Sequence, residues 1–439
     1  MMTRVAVMLA LAIATRAGDD AKKKIELPRD VQPLVDLARA SAPEIFADSI
    51  VRMIESGKIP QREAQVELLE EAFAVAAGAT EPVRVTAFPS TPPDTREIYR
   101  SRAGELGLDV VSLQGRILKD LLTVDPARAR ELFGAVGLPS LDPRPCEDPL
   151  VADSSAYYEV AGAIAQSAFS GAEKEKEAHV EFLAAMVAGI RSPNQILAMA
   201  RVLQAVALNS GEWALLGSAL SQKLTTVPAD YRSFAMSFDA LQAEIRTIGE
   251  TAQIDLSGAL RRYAVNQLTA ARCQPDIAID TTALNLTAAE MQPSARNSAF
   301  QTTPAYFSAG DAKLIGDKLL RLESMRASPD FGAAFADVLR DFEGWTPSGS
   351  SADALHQKAT VLAALLQVAP RGEREKLLSL CASTLASSPA QRDAPAEWMW
   401  QARHLYELAA GDSSKLLAAF RASGDAPLAI FAELEKKPS

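Results

Sequence analysis

Three histidines and three cysteines are the scarcest reactive side chains in this 439-residue chain, and their placement limits its chemistry. His179, His356 and His404 fall in three separate helical patterns and none belongs to an H-E-x-x-H pair, so no two-histidine zinc motif is written here. His404 and Glu407 lie one helical turn apart and can face a common ion, but two ligands do not make a site. Each histidine reads as a surface or groove side chain beside a carboxylate. The sequence has no G-x-S-x-G elbow and no serine followed three positions later by lysine. It has neither G-x-x-x-x-G-K-[ST] nor G-x-G-x-x-G, the loops that cradle phosphates. Acid–base hydrolysis needs only two carboxyls facing a cleft, and with 55 Asp and Glu nothing local selects the pair.

The cysteines carry more information. Cys146 in Arg144-Pro145-Cys146-Glu147-Asp148-Pro149 and Cys273 in Arg272-Cys273-Gln274-Pro275 both stand at proline-flanked helix exits, where the backbone can turn enough to bridge them. An oxidising compartment permits that disulfide. Cys381 shares a helical face with Leu377, Leu378 and Leu385 and reads as a small buried hydrophobe. A nucleophilic thiolate needs a positioned base, and the sequence supplies none. Aromatic residues concentrate at Trp398, Trp400, His404 and Tyr406. Trp398, Ala402, Leu405 and Ala409 align as a core stripe, whereas Trp400 turns toward Arg403, His404 and Glu407. Burial against a neighbouring helix is the plain reading, and Trp400 with His404 is the candidate partner platform.

The elements that position these residues are helices. Asp125-Pro126, Ser192-Pro193 and Ser328-Pro329 place a capping oxygen before a proline, which is tolerated at a helix start because its missing N–H had no partner there. Ser41-Ala42-Pro43-Glu44 and Ser170-Gly171-Ala172-Glu173 read as capping boxes. Apolar positions recur at three- and four-residue spacings through Val31 to Glu55, Gln61 to Ala77, Arg96 to Leu122, Glu173 to Arg191 and many later segments. Short turns join them, as between antiparallel helical neighbours. The expectation is an all-α array of helical hairpins, solenoid-like or two-layered, with long Pro-rich loops and at most minor β structure. No repeat length aligns the segments. Val83 to Phe88 and Ile277 to Asp280 alternate over a few residues, and a rival reading makes them short strands.

The bulk figures agree with a folded chain: 48% hydrophobic, 23% charged and only 6% aromatic, a mix that favours helices packed through small residues. A formal charge of -10 argues against nucleic acid as a partner. Met1-Met2-Thr3-Arg4, the apolar Val5 to Ala14 and the small residues flanking Arg16 resemble a secretory signal cleaved after Ala17. The apolar stretch is short for a membrane span, which needs about 20 apolar residues. The expected organisation is a signal peptide over 1–17, a disordered lead-in over 18–29, helical regions over 30–273 and 311–436, and a loop-rich linker over 274–310.

These observations lead to one expectation and a rival. The chain is expected to be an exported bacterial protein, extracytoplasmic after processing, with no cofactor, no metal and no stable membrane span. It is expected to be a non-enzymatic scaffold that binds a protein or an envelope component through its helical surface. The rival is an all-α hydrolase of the glycan-processing kind with a Glu/Asp acid–base pair. A deep cleft holding two carboxyls of raised pKa beside Trp or Tyr favours the rival, and an exposed apolar patch favours the scaffold.

Overall fold

The computed structural model describes residues 27–89, 91–92, 95–137, 144, 146–274, 277–299 and 310–435. The proposed signal peptide and most of the lead-in lie outside the described residues. Helices take up 71% of what is described, well beyond the usual third of a globular protein. In chain order they begin with α1 (Gln32–Arg39), α2 (Pro43–Glu55) and α3 (Arg62–Ala76), followed by strand β1 (Val85–Ala87). Then come α4 (Arg96–Gly104), α5 (Val110–Val124), α6 (Pro126–Phe133) and strand β2 (Leu150–Ala152). The middle of the chain holds α7 (Ser155–Ser167), α8 (Gly171–Glu175), α9 (Ala178–Gly189), α10 (Pro193–Ala205), α11 (Ser210–Thr226), α12 (Tyr231–Ala252) and α13 (Ser257–Thr269). Strands β3 (Arg272–Gln274) and β4 (Arg296–Ala299) precede the last group. That group is α14 (Gly310–Ser324), α15 (Phe331–Gly344), α16 (Ser351–Val368), α17 (Arg374–Ala386), α18 (Ala390–Asp393), α19 (Pro395–Ala409), α20 (Ser413–Ala422) and α21 (Ala426–Leu434).

Two rows of helices build the first part. Helices α5, α7, α10 and α12 pack side by side in one row, while α9, α11 and α13 form a second row against them. The first row runs in one direction. Lys119 of α5 pairs with Glu159 of α7, Gln166 near the end of α7 donates to the Ala205 carbonyl at the end of α10 (2.8 Å), and Gln204 donates to Glu244 O of α12 (3.0 Å). The later helices repeat the plan, with α16 on α19 and α17 on α20. The first and last described helices then meet: α1 and α2 pack on α21, and α4 packs on α19. Arg52 of α2 reaches Glu435 at 2.7 Å. One contiguous apolar core runs from Val31 to Ala432.

Several helix starts form as their sequences dictate. Asp125 accepts from Arg128 N, Ser170 and Glu173 close a capping box, and Ser192 does the same with Gln195. Elsewhere single residues interrupt patterns that read as continuous. Arg96 to Leu122 is two helices, because Gly107 adopts φ +62° and Asp109 then caps α5 by accepting from Ser112 N at 3.0 Å. Glu173 to Arg191 breaks at Glu177, whose φ is 58°. Val31 to Glu55 breaks before Pro43, and the expected Ser41–Glu44 box does not form. Glu44 instead points at the turn after α3, accepting from Thr80 and Glu81. Of the two rival strand readings, the first is right: Val85 pairs antiparallel with Ala152 across β1 and β2. Ile277 to Asp280 is not a strand; the second pair is instead β3 with β4, parallel.

Candidate functional site

Cys146 and Cys273 are joined, with their Cα atoms 5.2 Å apart. The buried Arg232 guanidinium from the first turn of α12 lies against the bridge, its Nη2 donating to Arg144 O (3.4 Å) and reaching Cys273 Sγ (3.5 Å). Burial lowers its pKa. Arg272 holds the chain after α13 by donating to Leu268 O, and its guanidinium lies 4.8 Å from the centre of the Tyr231 ring. Cys381 is buried in α17, and burial pushes its thiol up to about 12, so it stays protonated and inert.

The aromatic cluster brings together three elements. Trp400 and His404 stack on α19 with ring centroids 5.0 Å apart, and His356 of α16 stacks on Trp400 at 6.3 Å. Tyr99 of α4 lies against His356 at 3.8 Å and meets Trp400 edge-on at 6.2 Å. Beneath the rings, His356 Nδ1 is 2.9 Å from Glu397 Oε1, and Gln401 Nε2 lies within 2.8 Å of both. His356 is 1% and Glu397 8% exposed, so this buried carboxylate–histidine pair ties α16 to α19. Burial lowers the pKa of His404, partly offset by Glu407, which leaves a neutral imidazole near pH 7. Trp400 and His404 are only half-buried. His179, the third histidine, lies 3.3 Å from Glu212. His179 and His356 lie beside a carboxylate as expected, but they are buried and not at the surface or in a groove, because each is enclosed where helices pack.

Several grooves among the described residues are open to solvent; one, of about 460 Å³ between α17 and α20, is walled by Ala and Ser, and two carry larger apolar side chains. The first, of about 540 Å³, lies between α7, α10 and α12. Its carboxyls are committed: Asp153 accepts from Ser155 N and faces Arg84 (3.3 Å), and Glu159 pairs with Lys119. The second, of about 410 Å³, runs between α14 and α16, with Leu319, Leu320 and Leu322 on one wall and Thr360, Ala364 and Val368 on the other. Leu320 on its wall is 70% exposed; Leu314, 54% exposed, lies on α14 outside the lining. The charges at its rim pair within the chain, Lys313 with Asp317 (2.6 Å) and Arg326 with Glu323 (3.7 Å). By periodicity alone Asp311 to Arg326 reads as one more amphipathic helix. The missed signal is a surplus of leucine: Leu314, Leu319, Leu320 and Leu322 with Ile315 are more than one face can bury.

The carboxyls with raised pKa are elsewhere. Burial beside Glu55 raises Asp120 to about 6, and burial also raises Glu81, which accepts from Ala396 N at the start of α19 (2.7 Å). Neither lines a groove just described, and none of those grooves has a Trp or Tyr wall. No group of three or more His, Cys, Asp or Glu among the described residues is arranged to hold a metal, and no helix among them is long and apolar enough to cross a membrane. The chain matches no family model, no curated protein and no solved structure. The reading of its function therefore rests on the grooves and clusters themselves.

Proposed function

We propose that this is an exported, non-enzymatic protein that holds an amphipathic helix of a protein partner in the groove between α14 and α16. The observation that carries the reading is the 70% exposure of Leu320 on the wall of a leucine-lined groove. Monomeric proteins rarely leave large aliphatic side chains adjacent to a concave apolar surface unless something covers them. A helix laid in such a groove inserts apolar residues one turn apart and leaves its polar face to water. Rim charges already paired inside the chain add little attraction, so apolar burial would supply the affinity. Export is supported by the signal-like start and by a bridge between Cys146 and Cys273, which an oxidising compartment maintains.

The test is affinity capture from envelope extracts with tagged full-length protein. A partner should be retained by the wild type and by Leu215→Asp, a change at a 49% exposed leucine on α11, and lost by Leu320→Asp in the groove wall. All three should melt together, because exposed substitutions cost little stability. Equal retention by all three proteins, or equal loss in the Leu215 control, would overturn the assignment.

A further inference from the structure

We propose that the groove between α7, α10 and α12 is a second binding site, for a neutral single-chain lipid with a hydroxyl-bearing head of the monoacylglycerol kind. The inference stands apart from the α14–α16 reading, because it uses different helices and a ligand of different size. The groove exists because its walls are short side chains. Ala163 of α7 with Ala198 and Ala205 of α10 leave room that a larger residue would fill. The floor is closed at Gly162, where a Cβ would meet the Val202 methyls at 3.3 Å, so α7 and α10 touch there. Leu197, Val202 and Met236 complete the apolar lining. From Ser155 to Gln166 the α7 wall spans about 16 Å at 1.5 Å per residue, the reach of an extended twelve-carbon chain. One end is shut by Thr86 of β1 and by Val151 and Ala152 of β2, which suits a tail with a defined head position better than a continuous helix.

The head end is polar, and its lining carboxylate, Asp153, is paired with Arg84. Ser155, Asn194 and Ser233 stand in the first turns of α7, α10 and α12, gathered at the strand end by the common direction of the three helices. Three helix starts would attract an anion if their N–H groups were open. Two of the starts already hold a carboxylate that opposes an anion, Asp153 accepting from Ser155 N and Asp230 from Ser233 N, while Gln195 accepts from Arg191 N and Ser192 N just before α10. The charged rim is likewise paired, Lys119 with Glu159, Arg201 with Glu244 (3.2 Å) and Arg84 with Asp153. A phosphate or ammonium head would lose its hydration and gain no counter-ion. Hydroxyls lose less: Ser233 Oγ, whose proton goes to Asp230, and Asn194 Oδ1, whose amide nitrogen donates to Ala152 O, can still accept from them, beside the hydroxyls of Ser155 and Thr86.

Calorimetric titration of the full-length protein with 1-monolauroylglycerol, below the concentration at which it aggregates, tests the site. Saturable one-to-one binding is expected, with dodecyl phosphate and dodecyltrimethylammonium at least tenfold weaker. Ala198→Trp, which fills the groove from a half-buried position, should weaken binding at least tenfold, and Leu197→Asp on the same wall should do the same. Both variants are checked for wild-type helix content, so that either can serve if the other misfolds. Leu320→Asp should bind the lipid normally. No saturable binding, unchanged affinity in a folded groove variant, or preference for a charged head would overturn the proposal.

Discussion

Trp398 has no exposed surface, and its indole N–H donates to the Leu385 carbonyl at 3.0 Å. Its neighbour on α19, Trp400, is half-buried and held by stacking on His404 and His356. Trp398→Ala should therefore cost about 3 to 5 kcal/mol, the range for a large buried ring. Trp400→Ala should cost about 1 to 2 kcal/mol, the worth of lost ring contacts. Chemical denaturation of both variants checks the difference, and equal costs would contradict the facing of α19. The stripe of Trp398, Ala402, Leu405 and Ala409 was legible because a helix repeats its faces locally. The contact of His356 with Glu397 was not, because the partners sit on different helices 41 positions apart. Asp120 makes a pH prediction. Its folded pKa of about 6 lies above the ordinary carboxyl value, so the folded state binds the extra proton between roughly pH 4 and 6. The stability its protonated form contributes is complete below that window and is lost as pH rises through about 6. Asp120→Asn should raise the melting temperature at pH 7.5 and leave it unchanged at pH 4. A variant that gains equally at both values would show that burial beside Glu55 is not the cause.

Helix starts were readable at this larger scale wherever the cap lies within a few residues, as at Asp125, Ser170 and Ser192. Breaks were harder. Gly107 and Glu177 take left-handed backbone angles inside patterns whose apolar spacing continues across them, so periodicity alone joined helices that tertiary packing separates. Glu44 shows a local motif overridden from a distance, since its carboxylate satisfies the backbone after α3 in place of its own helix start. The cysteine pairing was accessible for a simple reason: prolines mark both loop positions, and the leucine face marks Cys381 as core. The bridge between residues 127 apart should restrict the unfolded chain by about 4 to 5 kcal/mol in the chain-entropy model. A non-reduced digest of protein from its native compartment should give one cross-linked peptide containing Cys146 and Cys273. Cys381 should react with alkylating reagent only after denaturation. Three free thiols, or a pair that includes Cys381, would contradict both the packing and the compartment.

Seen as a whole, the chain returns on itself, with α1 against α21, Glu81 capping α19 and Arg52 reaching Glu435. Such contacts join positions more than three hundred residues apart and leave no local trace in the sequence. The all-α class was legible because it is a sum of local patterns; which helices share a wall was not. The α14–α16 groove belongs to that second kind of information, because an excess of leucine on one helix becomes a binding surface only when α16 is placed beside it. The most direct measurement is photocrosslinking in the native compartment with a photoreactive amino acid in place of Leu320, and another in place of Leu215 as control. The account predicts a discrete protein adduct from position 320 and none from position 215. Adducts absent from both positions, or formed equally by both, would contradict it.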